Sequence, residues 1–384
     1  MAEIHSLLSA IGLISLGVAA GYALMALIAV LVWQSRQGPK PSGRLPPVTV
    51  LKPLCGAEEE TYECLRSFCE QKYPKFQVVF GIADQADPAI AIAQRLQVEF
   101  PECDVQIVID ARQHGSNRKV SNLINMFPFA SHDYLVLSDS DVRVNSDYLS
   151  KVIEPLRESD VGIVTCAYRG AARRGFWSLL GSLFINEWFM PSVNVAALVG
   201  TRCFAFGSTI AMRREVLNRA GGFGAIANHL ADDYRLGELT RDLGLRTVLS
   251  EVVVEVAVVE RTFSELVGHE LRWLRTIRAV KPLEYSLCFV TFTIPIVLIA
   301  TVLSGGGPEA FSMLGTTALA RVLLHLKTRQ SRPAFLQFVL FPVRDILSLV
   351  LWGWSFRTRN VRWRDHLVQV MRDGSVESTV RITS

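Results

Sequence analysis

Residues 134–144, YLVLSDSDVRV, set two carboxylates two residues apart at the end of an apolar run. Tyr134, Leu135, Val136 and Leu137 read as a buried strand, which Ser138-Asp139-Ser140-Asp141 ends abruptly. Such a pair suits a hard divalent cation, because Mg²⁺ and Mn²⁺ prefer oxygen ligands and commonly bridge diphosphates. A solvated turn has the same composition, so the pair gains meaning only from what accompanies it. Asp84 ends a second apolar run in GIADQADPAI, and the adjacent acids Asp232 and Asp233 lie in ADDYRLGELTRDLGLR. Further along, HELRWLRTIR carries His269, Arg272 and Trp273.

The elements that must position these residues are strands and helices in alternation. VTVLK, QVVFGIAD, VQIVID, YLVLSDSD and VGIVT are short β-branched runs, and EEETYECLRSFCEQ and PAIAIAQRLQVEF between them have helical patterning. That order predicts an α/β domain with a mostly parallel sheet covered on both faces. Ligands of such sheets sit at the carboxyl ends of the strands, which here carry Lys52, Asp84, Asp110, Asp139 and Asp141. The turn after the first strand is KPLCGAEEE, neither GxGxxG nor a P-loop, which excludes a dinucleotide oxidoreductase. Without a glycine-rich cradle, a cation on the carboxylate pair is expected to neutralise the diphosphate of a nucleotide sugar.

The chain of 384 residues is half hydrophobic, and its net charge of +4 is too small to argue for nucleic acid. The apolar excess is concentrated at 6–33 and at about 285–356. Residues 6–33 lack charge and exceed the roughly 20 residues that span a bilayer. Their length, and Glu3 and His5 where a signal peptide carries positive charge, favour an uncleaved anchor over residues 1–34. Arg36, Lys40 and Arg44 follow it, which places the next segment in the cytoplasm. Residues 285–305 and 310–326 read as two membrane helices, with Arg321 able to snorkel near the end of the second. The run 334–356 is interrupted by Pro342, Arg344 and Asp345 and followed by Arg357, Arg359, Arg362 and Arg364. A mid-bilayer charge pair is expensive, so a re-entrant or interfacial hairpin is expected there, with a kinked crossing as the alternative. The seven cysteines, Cys55, Cys64, Cys69, Cys103, Cys166, Cys203 and Cys288, form no CxxC, so neither disulfides nor a zinc site is expected.

Together with VTVLKPLCG, YPKFQVVFGIADQADPAI, NRKVSNLINM and RAGGFGAI, the ordered motifs resemble the membrane-bound, inverting ceramide glucosyltransferase-like glycosyltransferases. The similarity covers about 46–282, and HGSNRKVSNLINM and DSDVRV resemble its bacterial hopanoid-associated branch most. The resemblance implies a GT-A domain, the Rossmann-like nucleotide-diphospho-sugar transferase fold, with flanking transmembrane helices. It implies that Asp84 binds the uracil or ribose side of a UDP-sugar, that Asp139 contacts nucleotide and sugar, and that Asp141 ligates the metal. Asp233 would be the catalytic base, and Arg272 and Trp273, which match the RW of a QxxRW motif, would contact the nucleotide sugar. His269 stands where that motif has Gln, and is expected to serve the acceptor or orient Trp273. Eukaryotic ceramide enzymes resemble DSG rather than DSD at 139–141, a departure from a literal ceramide assignment.

The chemistry is coherent on its own terms. A lipid hydroxyl is a poor nucleophile, so Asp233 would accept its proton while the diphosphate leaves from the opposite face, inverting the anomeric carbon. Arg272 and the metal would offset charge on the leaving group. Lys52 and Lys119 are further candidates for the nucleotide sugar, Lys119 having a plain surface lysine as its alternative. Residues 175–200 carry Phe176, Trp177, Phe184, Trp188 and Phe189, and fit either a buried core helix or an interfacial helix with Trp188 beside the acceptor. The expected organisation is an anchor at 1–34, a cytoplasmic catalytic domain at 46–282, membrane segments at 283–356 and a basic tail at 357–384, in a bacterial inner membrane. The expected partners are a UDP-sugar, a lipid acceptor and the bilayer, with no obligatory protein partner. A processive polysaccharide synthase and a silent binding protein are the competing readings.

Overall fold

The computed structural model describes residues 2–36, 38, 43–201, 204–329, 334–363, 366–371 and 374–381. Lys40, Cys203 and Arg364 lie outside them. The chain forms two compact units. A helical unit comprises Met1–Arg36, Gly170–Thr201 and Val258–Arg362, and a sheet unit comprises Gln37–Arg169, Arg202–Ala257 and Trp363–Ser384. The block 46–282 is therefore shared between them: 170–201 and 258–282 belong with the apolar helices.

In the sheet unit, strands β1 (Val48–Leu54), β2 (Phe76–Ile82), β3 (Asp104–Ile109) and β4 (Tyr134–Leu137) form the parallel part. The short β5 (Val142–Arg143), then β6 (Val161–Ala172), β7 (Ile210–Arg213) and β8 (Arg246–Val258), complete the order β3-β2-β1-β4-β7-β6-β8-β5. β7 runs antiparallel to both β4 and β6, so the parallel pattern expected from sequence stops at β4. Buried residues from alternate positions of the strands (Leu51, Val79, Leu135, Leu137) meet Val120, Leu123 and Met126 of the helix Arg118–Met126. This core fixes the sheet's carboxyl edge, where the parallel strands deliver their acids.

Residues expected as a tail instead form β9 (Asn360–Trp363), β10 (His366–Val370) and β11 (Val376–Arg381), a three-stranded sheet. Within the sheet unit this segment pairs with the chain just ahead of Asp232: Leu230 donates its N–H to Gly374 O (3.0 Å), and Val376 to Asn228 O (2.8 Å).

In the helical unit, Ala2–Gln34 is one helix. Its buried face carries small residues (Ala19, Ala23, Ala26), while Ile4, Leu7, Ile14 and Ile28 face outward, the division expected of a helix between partners and lipid. A β-carbon on Gly12 would lie 2.6 Å from Ser304 N, so this glycine permits a close helix approach. By length and apolarity Glu3–Gln34 and Phe335–Ser355 qualify as membrane spans. Pro282–Thr291 and Thr293–Leu303 are bent by 69° and would make a third if counted together.

The structure corrects the hairpin expected at 334–356. Ala334–Ser355 is one continuous helix with Pro342 inside it, because Arg344 and Asp345 are buried against partners and need not reach water. The aromatic segment 175–198 is likewise mostly core: Phe184 and Trp188 are buried, and only Phe176 among its five large aromatics is clearly exposed. Trp188 lies in a π-helical turn (Ile185–Phe189), donates Nε1–H to Thr291 Oγ1 at 2.7 Å and stacks on Phe292. The interfacial reading of Trp188 gives way to the buried one, since both its ring and its N–H are satisfied internally.

Candidate active site

The site is built where three short segments of the sheet unit converge. Asp139 follows β4, Lys119 stands in the first turn of the helix Arg118–Met126, and Asp232 and Asp233 open the helix Asp232–Asp242. Asn117 is wholly buried and caps the Lys119 helix, its Oδ1 accepting from Val120 N at 3.0 Å. Its Nδ2 donates to His229 O (2.8 Å) and to Asp232 Oδ1 (3.4 Å), so one cap fixes the starts of two helices.

Lys119 Nζ lies 2.8 Å from Asp139 Oδ1 and 3.2 Å from Asp232 Oδ2. Burial alone would lower its pKa, but Asp139, Asp232 and Asp233 outweigh burial and raise it. The ammonium therefore stays charged and joins the strand-end acid to the helix-start acid.

Asp233 turns the other way. Gly207 N donates to its Oδ2 at 2.9 Å and Tyr234 N to its Oδ1 at 2.7 Å. A helix N-terminus favours the carboxylate. Burial nevertheless raises its pKa, and the neighbouring Asp232 adds to this, against Lys119 and the two backbone donors. The result is a carboxylate with heightened proton affinity, the property a general base needs. A β-carbon on Gly207 would come within 3.0 Å of Asp139 Oδ2, 3.1 Å of Lys119 Nζ and 3.6 Å of Asp233 Oδ2. Asp139, Lys119 and Asp233 thus surround one point that only a glycine leaves open.

Lys52 occupies a different place from the one expected. It has no exposed surface, donates to the backbone carbonyl of Asp139 and to Ser138 Oγ (3.3 Å), and lies 3.9 Å over the Phe68 ring. Burial pulls its pKa down to about 8. In this arrangement it braces the strand end from beneath instead of facing a ligand. Asp84 is exposed beyond β2, its Oδ1 accepting from Ala86 N at 2.9 Å in a local turn. Asp141 is half-buried, and its carbonyl accepts from Ala257 N at 3.0 Å.

His269, Arg272 and Trp273 belong to the helical unit, on the helix Phe263–Val280. The His269 ring is edge-on to Trp273 at 5.0 Å, and its Nδ1 is 2.5 Å from Glu260 Oε1. Burial opposes ionisation of Glu260, yet His269 outweighs it and holds that carboxyl below its ordinary pKa.

Among the described residues, no group of three or more His, Cys, Asp or Glu could hold a metal ion. The donors at the strand end are carboxylate oxygens, the chemistry that hard divalent ions prefer, and Lys119 already engages one of them. Such a small set fits a cation shared with a diphosphate and not one held by protein alone. Sequence reasoning missed Asn117 and Gly207. The Asn before RKVSNLINM is an N-cap signal that could have marked the first; nothing local marks the second.

The chain matches the family description Glycosyl transferase family 21 over residues 13–376. It is 24% identical over 248 residues to ceramide glucosyltransferase 3 of Caenorhabditis elegans, covering 63% of this chain and 53% of that protein. It is 33% identical over 116 residues to the ceramide glucosyltransferase of Komagataella phaffii, covering 29% of this chain and 23% of that one. The chain spans about half the length of the Caenorhabditis relatives it matches. Among solved structures it is similar to the mannosyltransferase PcManGT from Pyrobaculum calidifontis, in complex with GDP-Man and Mn²⁺, with a TM-score of 0.56 at 21% identity. That likeness covers 91% of this chain and 99% of the other, and shows a mixed α/β, GT-A-like glycosyltransferase fold. With the match extending over nearly its whole length, the chain belongs to glycosyl transferase family 21.

Proposed function

We propose that this protein moves a single sugar from a UDP-sugar to the hydroxyl of a membrane lipid, with inversion. The observation that carries the reading is Asp233, half-buried, aimed by two backbone N–H groups and raised in proton affinity beside Asp139 and Lys119. Asp233 accepts the acceptor's proton as the hydroxyl attacks the anomeric carbon. Asp139, held in place by Lys119 and by Lys52 beneath its carbonyl, orients the donor. Asp141, together with diphosphate oxygens, would hold Mg²⁺ or Mn²⁺, which when bound offsets charge on the departing UDP. Asp84 stands for the uracil or ribose side, and Arg272, Trp273 and His269 keep the roles their motif resemblance gives them.

The acceptor and sugar belong to the same proposal: N-acetylglucosamine on a hopanoid polyol such as bacteriohopanetetrol, supported by the wording of NRKVSNLINM and DSDVRV. The similarity to ceramide glucosyltransferases supports a second reading, glucose on ceramide. The proposed setting is a bacterial inner membrane with the catalytic residues on the cytoplasmic side, supported by Arg36 and Arg44 after the first apolar helix.

The test is incubation of membranes carrying the protein with labelled UDP-N-acetylglucosamine or UDP-glucose and either lipid. One sugar per lipid with an inverted linkage is expected; a polymer or no product defeats the reading. Asp233→Asn, nearly isosteric, should keep UDP-sugar binding while transfer falls by roughly 10²–10⁴, the usual effect of losing a general base. Near-normal transfer by that variant would remove Asp233 from the mechanism.

A further inference from the structure

The helical unit holds a charged pair that the reaction does not use, and its surroundings give it a task. Arg344 and Asp345 sit mid-way along Ala334–Ser355, both almost wholly buried. Arg344 Nη2 donates to Glu270 Oε2, on the helix that also carries His269, Arg272 and Trp273. Asp345 points elsewhere: its Oδ1 accepts from Arg321 Nη2 at 3.2 Å, and its Oδ2 accepts from Ile294 N at 3.0 Å. Arg321 in turn donates Nη1–H to Glu187 O at 3.1 Å. Two adjacent residues thus link the RW-bearing helix to the helices Thr293–Leu303 and Pro308–Thr328.

We propose that Arg344 and Asp345 form a two-ended tether that sets the rotation of the helix Phe263–Val280, and so positions Trp273 and His269. Glu270 and Trp273 are three residues apart, hence neighbours on one helical face, so fixing the first directs the second. The Arg344 guanidinium also lies 5.0 Å over the Phe184 ring, whose centroid is 6.2 Å from that of Trp273. The ends of the same helix are secured separately. Thr262 Oγ1 caps one end by accepting from Glu265 N (3.2 Å), and near the other Arg278 Nη2 donates to Thr358 O (2.7 Å). Those contacts, with His269 Nδ1 on Glu260, hold the helix toward its ends, and the Glu270–Arg344 pair holds its middle.

Stability alone is a poor reason for this arrangement. A buried ion pair is often no more stabilising than well-packed apolar side chains of similar volume, because both charges lose their water. Ionisable groups within membrane helices are rare and tend to mark function. What an ion pair supplies and an apolar contact does not is direction, through hydrogen bonds with fixed geometry.

The inference rests on the proposed reaction for the meaning of Trp273 and His269. Its test uses the full chain in lipid nanodiscs, comparing the parent, Glu270→Gln, and the double variant Glu270→Leu/Arg344→Met. The double variant replaces the pair by apolar packing and is expected to fold and to bind UDP as the parent does. Its lipid transfer should show kcat reduced roughly tenfold to a hundredfold, as small misplacements of reacting groups do. Its KM for UDP-sugar should stay within about twofold of the parent value, the sign that ground-state donor binding is untouched. Glu270→Gln, which keeps one hydrogen bond, should lie between the two.

Hydrogen exchange over 263–280 reads the tether without turnover. Faster exchange there, with unchanged exchange over 46–169, is expected in the double variant. If both variants transfer within about twofold of the parent, or lose UDP binding and transfer together, the tether is refuted. A parent that transfers no sugar while the exchange change occurs would count against the reaction and leave the tether standing.

Discussion

The backbone N–H of Gly207 donates to Asp233 Oδ2 at 2.9 Å. That bond aims the carboxylate, and the missing side chain of Gly207 leaves room for Asp139 and Lys119 to approach the same point. Gly207→Ala would place a β-carbon 3.0 Å from Asp139 Oδ2 and 3.1 Å from Lys119 Nζ. The expected outcome is a transfer rate lower by roughly tenfold to a hundredfold, since displacements of about 1 Å cost that much. Initial rates at saturating donor measure it. An alanine variant at parental rate would show that the acids do not need this spacing.

The raised pKa of Asp233 has a direct kinetic sign. Burial is its largest cause and the Asp232 charge the next. A base must be ionised to accept a proton, so the rate rises with pH as Asp233 deprotonates. The acid limb of kcat/KM should therefore lie above the roughly 3.9 of an unperturbed aspartate. Asp232→Asn removes the like charge, which should move that limb to lower pH. Because Asp232 also meets Lys119 and Asn117, the same variant should lose some activity at its optimum. A limb that stays fixed or moves upward would mean that another group titrates.

Which features sequence could reveal follows from how local each one is. The strand ending in Asp139 and Asp141, the acid pair at 232–233 and the parallel run up to β4 are short-range patterns, and all of these elements form. Sequence predicts a hairpin where the helix Ala334–Ser355 forms, because hydropathy counts Arg344 and Asp345 as unpaired. Their partners Glu270 and Arg321 lie 74 and 24 residues away. For a related reason sequence predicts only a basic tail where β9–β11 form: what the 374–376 segment pairs with is residues 228–230. A strand-end position predicts Lys52 as a contact of the nucleotide sugar. Nothing in its neighbours announces that Phe68 and the Asp139 carbonyl enclose it.

Metal dependence should depend on nucleotide. Asp139 is already paired with Lys119, and no cluster of three ligands exists among the described residues, so the protein alone makes a poor cation site. Calorimetric titration with Mn²⁺ should show saturable binding in the presence of UDP and little without it. Asp141→Asn should weaken UDP affinity in Mn²⁺ on the order of tenfold to a hundredfold, the scale on which metal sites respond even to outer partners. Without Mn²⁺ the variant and parent should bind UDP alike. Tight Mn²⁺ binding to the protein alone would place the cation elsewhere.

The segment 374–376 should stabilise the entry to the Asp233 helix. Leu230 N donates to Gly374 O and Val376 N to Asn228 O, on either side of the His229–Ser375 bridge. From the other side Asn117 N donates to Ala227 O and Asn117 Nδ2 to His229 O. Residues 227–230 are thus held between the cap of the Lys119 helix and the C-terminal strand segment. Deleting residues 372–384 removes both backbone hydrogen bonds to residues 228–230, each worth about 0.5–1.5 kcal/mol net, together with the β10–β11 ladder, and uncovers apolar surface around the buried Val368 and Val370. The deletion should lower Tm, speed hydrogen exchange over 226–236 and reduce transfer, while exchange over 76–109 stays as in the parent. Parental exchange over 226–236 in the shortened protein would mean that Asn117 alone fixes the loop and that the C-terminal strands contribute nothing to placing Asp233.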